Sequence, residues 1–164
     1  MTTSAAPTRT LRGTGAHLSP EELLAFTRFF DSARLIEEAI AKHLSERHGM
    51  NISDYEVLVR LDGAGDEMRL TELADLCISS KSKLTHTLVR LEDRGWIRRE
   101  KAVGDGRGVV AHLELAGADA LAAAAPGHAE IIKHHLIDCW PSDQLESIGQ
   151  AMAASAARLR ELRL

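Results

Sequence analysis

Three groups of residues in this 164-residue chain have the types and spacings that chemistry needs. The first is the run Gly104, Asp105, Gly106, Arg107, Gly108, where an acid and a base alternate with residues that let a backbone turn tightly and approach a polyphosphate. The second is Ser82, Lys83, His86 and Arg90. At about 100° per residue on a helix, these four fall opposite Leu84, Leu88 and Leu91. A helix with one leucine face and one face of hydroxyls, cations and imidazole offers donors to base edges and phosphates. The third is His128, His135 and Cys139. On a continuous helix the three would share one face and form candidate ligands for zinc or another thiophilic ion. Polar residues on a partly exposed helix are the plainer reading of that cluster.

The glycine run has two readings, which its flanks separate. A dinucleotide-binding loop follows a strand, opens a long helix and is trailed by an acid about 20 residues on. Here the run leads into "VVAHLEL", a short β-leaning segment. The preceding "WIRREK" is of the same kind, so "AVGDGRG" is the tip of a β-hairpin. No G-x-S-x-G, H-E-x-x-H or P-loop lysine pattern is present, and an enzyme is not expected.

The elements that position these groups are mostly helical. Ser19, Pro20 and Glu22 form a capping box for a long first helix ending near Gly49. Its apolar face carries Leu23, Phe26, Phe30, Ala33, Ile36, Ile40 and Leu44, which makes Phe30 a core candidate. A shorter helix follows, capped by Asn51 or Ser53 and ended by "DGAGDE". "LTELADLCI" is a third helix with Thr71 as its cap, and Cys77 on its apolar face reads as a small buried hydrophobe. After the three-residue connection "ISS", Ser80 caps the helix that carries Lys83, and Gly95 stops it. Beyond the hairpin lie an alanine-rich helix from about 116, with a kink expected at Pro126, and a last amphipathic helix. Two short helices, a tight connection and a hairpin are the order of a winged helix-turn-helix.

Composition agrees with one soluble domain preceded by a disordered tail. The chain is 45% hydrophobic and 27% charged. The start, "MTTSAAPTRTLRGTGA", lacks the apolar stretch of a secretory signal, and no run approaches the ~18 apolar residues of a membrane span. Two cysteines, Cys77 and Cys139, make no disulfide framework, so a reducing cytoplasm is expected. The net charge of −4 conceals a pattern: residues 78–108 hold 8 bases against 4 acids, and both ends of the chain are acidic. That is a modest footprint for a polyanion.

Over "ISDYEVLVRL" and "LRLTELADLCISSKSKLTHTLVRLEDRGWIRREKAVGDGRGVVAHLELAGADAL" the chain resembles the multiple-antibiotic-resistance regulator (MarR) family of transcription factors. The resemblance runs from about Leu23 to the C-terminus and is most specific over 70–117. It implies a mainly α fold with a small β-hairpin, a winged helix-turn-helix flanked by N- and C-terminal dimerisation helices. Residues 1–17 are then the tail and 18–164 a single domain, with 50–116 the DNA-binding part and 18–49 and 117–164 the dimerisation part. The implied function is a ligand-responsive repressor that binds a pseudo-palindromic stretch of double-stranded DNA as a homodimer.

By the same resemblance, Ser80, Lys81, Ser82, Lys83, Thr85, His86 and Arg90 belong to the recognition helix, 80–94. Arg107 is the arginine of the wing, 102–109, and Asp105 braces it. His86 stands where many relatives have arginine, and Gly106 where a second wing arginine is frequent. No cofactor is required. A small aromatic or phenolic effector is implied, with Phe30, Arg34, His48 and Tyr55 as candidate contacts. Two alternatives remain: a dimeric helical module that turns the winged motif to a protein partner, and a regulator switched by metal or thiol chemistry at His128, His135 and Cys139.

Overall fold

The structure is a computed structural model that describes residues 18–77, 81–102 and 108–162. The chain divides into two units, Met1–Arg34 and Leu35–Leu164. Helix α1 spans Pro20–His48 and contributes to each. Its start is the capping box expected from sequence. Glu22 N donates to Ser19 Oγ at 3.2 Å, and Ser19 N donates to Glu22 Oε2 at 2.7 Å. Within the first unit, Phe26 and Phe30 stack with centroids 5.8 Å apart, and the Arg34 guanidinium lies 5.8 Å from the Phe30 ring. Phe30 is 47% exposed, so the expectation of a core position fails in the single chain.

In the second unit, α2 (Ile52–Gly63), β1 (Glu67–Arg69), α3 (Leu70–Leu76), α4 (Lys81–Asp93), β2 (Ile97–Lys101), β3 (Val109–Leu113), α5 (Leu115–His135) and α6 (Leu145–Glu161) follow in order. Two short 3-10 turns, Ile137–Cys139 and Ser142–Gln144, join the last two helices. The architecture is mainly helical with one small antiparallel sheet. Among the described residues no helix is long and apolar enough to cross a membrane.

The sheet has three strands rather than the two expected, in the order β1-β3-β2. Strand β1 pairs Glu67 with His112 and Arg69 with Val110, and Leu113 N donates to Asp66 O at 2.8 Å. Gly65 and Asp66, both at positive φ, turn the chain into this pairing. The strand runs straight into α3, so Arg69 is the residue before its first turn and makes no side-chain cap. Thr71, expected as that cap, lies inside the helix instead.

The core is where α2, α3, α4 and the sheet meet. Leu58, Leu61, Leu73, Leu91 and Ile97 are all fully buried there, and Leu84 and Leu88 are buried on the expected face of α4. Cys77 joins this cluster, and burial pushes its thiol up to about 11, with Glu56 adding to the shift and Arg60 opposing it. Leu44, Met50 and Ala124 make a second buried cluster where α1 and α5 meet.

Two glycines set how the wing joins the helices. Gly95, at φ +67°, ends α4 with Gly95 N donating to Glu92 O and Trp96 N to Leu91 O, a Schellman closure. Gly117 lets α5 lie against the start of β2, because a Cβ there would stand 2.2 Å from Trp96 O. Pro126 is carried inside α5, which continues past it to His135.

A backbone atom cannot yield as a side-chain tip can. Gly117→Ala is therefore expected to cost about 1–3 kcal/mol of stability, measured by denaturant unfolding at fixed protein concentration. An unchanged midpoint would show that α5 does not need this close approach.

Candidate nucleic-acid interface

The orientation of α4 is set by one carboxylate. Asn51, in extended backbone, caps α2 by accepting Asp54 N at 2.9 Å, and Asp54 Oδ2 accepts Asn51 N at 3.0 Å. Asn51 rather than Ser53 is thus the cap. The Asp54 side chain is only 2% exposed, and its Oδ1 also accepts Arg90 Nε at 3.0 Å and Nη2 at 2.5 Å. Arg90 Nη2 lies a further 3.3 Å from Thr87 Oγ1, itself buried. Helical spacing groups Arg90 with Ser82, Lys83 and His86, but its guanidinium turns back to α2 because an otherwise uncompensated carboxylate lies there.

The same last turn of α4 is also tied to the wing. Arg99 on β2 donates from its backbone N and Nε to the Glu92 carboxylate at 3.1 and 3.0 Å, and this holds the Glu92 carboxyl below its ordinary range. Arg94 Nη1 donates to Gly49 O at 2.8 Å, and its guanidinium sits 3.6 Å from the centroid of the Trp96 ring. On the sheet, Arg98 binds Glu100 and Glu114, while His112 lies between Glu67 and Glu100. Ala102 N donates to Gly108 O at 2.9 Å, next to the pairing of β2 with β3.

Held in this way, α4 exposes Ser82, Lys83, Thr85 and His86. A polar hollow of about 600 Å³ lies between them and the first turn of α2, bounded by Asn51, Ser53, Ser82, Lys83, His86 and Arg90. Cations beside a helix N-terminus attract phosphate. Lys81 opens α4, but its side chain lies outside the described residues, as do Ser80, Asp105 and Arg107.

A second hollow, of about 540 Å³, opens between α1, α2 and α5. Ile36, Ile40, Ile52 and Val59 give it an apolar body, and Tyr55, Arg60, Lys83 and His128 supply polar groups, with Glu37 and Glu56 also on its wall. Tyr55 and His128 pack ring on ring at 4.4 Å; burial raises the Tyr55 phenol and lowers the His128 imidazole, the latter aided by His43. Of the four candidate effector contacts, Tyr55 lines this cleft. His48 instead tilts against His43 at 5.1 Å, and Phe30 and Arg34 belong to the unit Met1–Arg34. Asp54 and Arg60 are site residues that sequence reasoning misses. For Asp54 a signal exists, since Asn51-x-x-Asp54 has the spacing of a capping box.

The suggested metal face does not form. Helix α5 ends at His135, so Cys139 falls on a 3-10 turn and loses the helical spacing. His128 packs on Tyr55, and Cys139 Sγ turns to His135 O at 3.9 Å. Lys133 and His134 bind Asp138, at 2.6 and 3.1 Å. Among the described residues no three His, Cys, Asp or Glu side chains come together to hold a metal ion.

Residues 50–109 match the family model of the MarR family. The chain is 33% identical to Sco3205 of Streptomyces coelicolor, a MarR family transcriptional regulator solved in complex with DNA. That match covers 87% of this chain and 94% of the other, with a TM-score of 0.83. AbsC, a MarR family transcriptional regulator of the same organism, is 30% identical over 90% of this chain and 99% of its own, with a TM-score of 0.84. The organohalide-sensing regulator RdhR-CbdbA1625, solved with 2,4-dichlorophenol, shares the fold at 16% identity, covering 94% of this chain and 92% of its own with a TM-score of 0.74. No curated protein sequence matches the chain.

The Asp54–Arg90 pair makes a direct claim on stability. Asp54→Ala and Arg90→Ala are each expected to cost about 1–3 kcal/mol, and the double variant less than their sum, by a coupling of about 0.5–3 kcal/mol. Additive losses in a denaturation cycle would show that Arg90 stands apart from Asp54.

Proposed function

The chain belongs to the MarR family, and on that premise we propose that it is a homodimeric, ligand-responsive repressor of the cytoplasm that binds a pseudo-palindromic operator. Members of the family are transcriptional regulators and not enzymes. The reading goes further in assigning roles to parts of this chain. The DNA-binding part is 50–116, the dimerisation part is 18–49 with 117–164, and 1–17 is a tail.

The observation that carries the reading is the exposed polar face of α4, whose last turn is held by Asp54 at Arg90 and by Arg99 at Glu92. Ser80, Lys81, Ser82, Lys83, Thr85 and His86 are its proposed contacts to a major groove. Arg90 has a second duty, because the same guanidinium that fixes α4 remains 41% exposed beside the phosphate-attracting hollow. Arg107 is proposed to reach into the minor groove, whose negative potential draws an arginine, with Asp105 bracing it. Dimerisation is supported by apolar side chains left uncovered in a single chain. Leu24, Phe26, Phe29 and Phe30 on α1 and Met152 and Leu159 on α6 are each more than 40% exposed. The cleft beside Tyr55 is the proposed effector site, of a size suited to a small aromatic or phenolic compound.

Arg107→Ala is expected to weaken operator binding by about 1–3 kcal/mol, and Lys83→Ala to reduce the dependence of affinity on salt by about one phosphate. Titration of a genome-selected duplex across a salt series measures both. Unchanged affinity and slope in both variants would refute the assignment.

A further inference from the structure

We propose that Arg94 sets the spacing of the operator half-sites that this protein accepts: lying on the Trp96 ring, its guanidinium fastens the DNA-binding part to the end of α1. The inference rests on the reading of a homodimer on a pseudo-palindromic operator, and adds to it a positioning residue for the two DNA-binding parts.

Between the proposed dimerisation and DNA-binding parts the chain crosses twice, after Gly49 and after Ala116. Both crossings are fastened to Trp96. At the second, Glu114 N donates to Trp96 O at 3.0 Å, and a Cβ on Gly117 would stand 2.2 Å from the same oxygen. At the first, Gly49 ends α1 at φ +60°, with Gly49 N donating to Ser45 O and Met50 N to Leu44 O. The Gly49 carbonyl accepts Arg94 Nη1 at 2.8 Å, and the Arg94 guanidinium lies 3.6 Å from the centroid of the Trp96 ring. Trp96 in turn packs against both buried clusters, that of the DNA-binding part and that of Leu44, Met50 and Ala124.

The first crossing needs such a fastening. Gly49, Met50 and Asn51 are all that connects α1 with α2, and a glycine without Cβ leaves the angle between the two helices open to change. Asp54 and Glu92 fix α4 inside the DNA-binding part, but neither reaches α1. Arg94 does, from the residue that follows α4. Arginine suits the position because its flat face stacks on an aromatic ring while the N–H groups donate in its plane. The end of a helix also carries a partial negative charge that a cation offsets. In a dimer the dyad doubles any turn of the DNA-binding part about Gly49, so the angle that Arg94 holds becomes the separation of the two recognition helices. A held angle accepts one spacing of half-sites, and a released one tolerates several.

The test uses the full chain and duplexes made from a genome-selected operator, with the centre shortened or lengthened by one or two base pairs and the half-sites unchanged. Each base pair moves one half-site by about 3.4 Å and turns it by about 34–36° relative to the other. Fluorescence anisotropy over a salt series gives affinity and salt slope for the parent, Arg94→Ala and Arg94→Lys. The parent should lose about tenfold or more in affinity when the spacing changes by one base pair, because the DNA must then deform to fit a fixed protein. Arg94→Ala should bind the natural spacing several-fold more weakly with the parent's salt slope, and should discriminate far less between spacings. Arg94→Lys, which keeps the charge without the flat face, should recover only part of that discrimination. If Arg94→Ala weakens binding equally at every spacing and lowers the salt slope, Arg94 is a phosphate contact and the inference is overturned. Equal weakening with an unchanged slope would make it a support of the fold alone, and overturns the inference as well. A parent that is indifferent to spacing, or binds as a single chain, removes the homodimer reading and this inference together.

Discussion

The Asp54 carboxylate is buried, and two helices depend on how it is satisfied. It accepts the backbone N of Asn51 and so closes the first turn of α2, and it accepts Arg90 and so holds α4. Removing Arg90 would leave the buried Asp54 carboxylate short of its compensating charge, where the penalty is large, whereas Arg90, partly exposed, would keep access to water. The pair therefore fixes α4 by more than its leucines. Leu84, Leu88 and Leu91 decide which face is buried. The ion pair limits rotation and sliding of the helix on that face, which apolar contacts alone permit more readily. The polar residues of α4 can form a recognition surface because this helix has one orientation.

The wing depends on α4 in turn. Gly95 turns the chain sharply after the helix, and Glu92 binds Arg99 on the first wing strand, so helix and strand are joined by backbone and by side chains. Gly117 then allows α5 to pack against Trp96. A base-reading helix and a hairpin must reach adjacent grooves of one duplex together, which requires a fixed angle between them. Glycines and ion pairs at the junction supply it, and the few β-branched residues of the short strands could not do so alone.

Much of this is legible in the residues. The leucine spacing of α4, its stop at Gly95, the hairpin and the Ser19 capping box all follow from local rules, and local rules act within a few residues. What sequence reasoning misses depends on distant partners. Strand β1 is the short segment Glu67, Met68, Arg69, with no β-branched residue, and it exists because β3 offers an edge. Arg90 turns from its sequence-defined side because Asp54 lies 36 positions earlier in the chain. The metal face of His128, His135 and Cys139 requires a helix that in fact ends at His135. Helical spacing assigns Phe30 to a core, but apolar spacing does not distinguish a core from an exposed apolar face.

The central claim is that two copies of this chain present α4 and the wing to one duplex. Hydroxyl-radical footprinting of a genome-selected fragment, with the complex mass measured by sedimentation, tests it most directly. The account predicts two chains per duplex and two protected patches related by a dyad, about 10 base pairs apart along the same face of the DNA. One chain per duplex, or a single patch without symmetry, would contradict it.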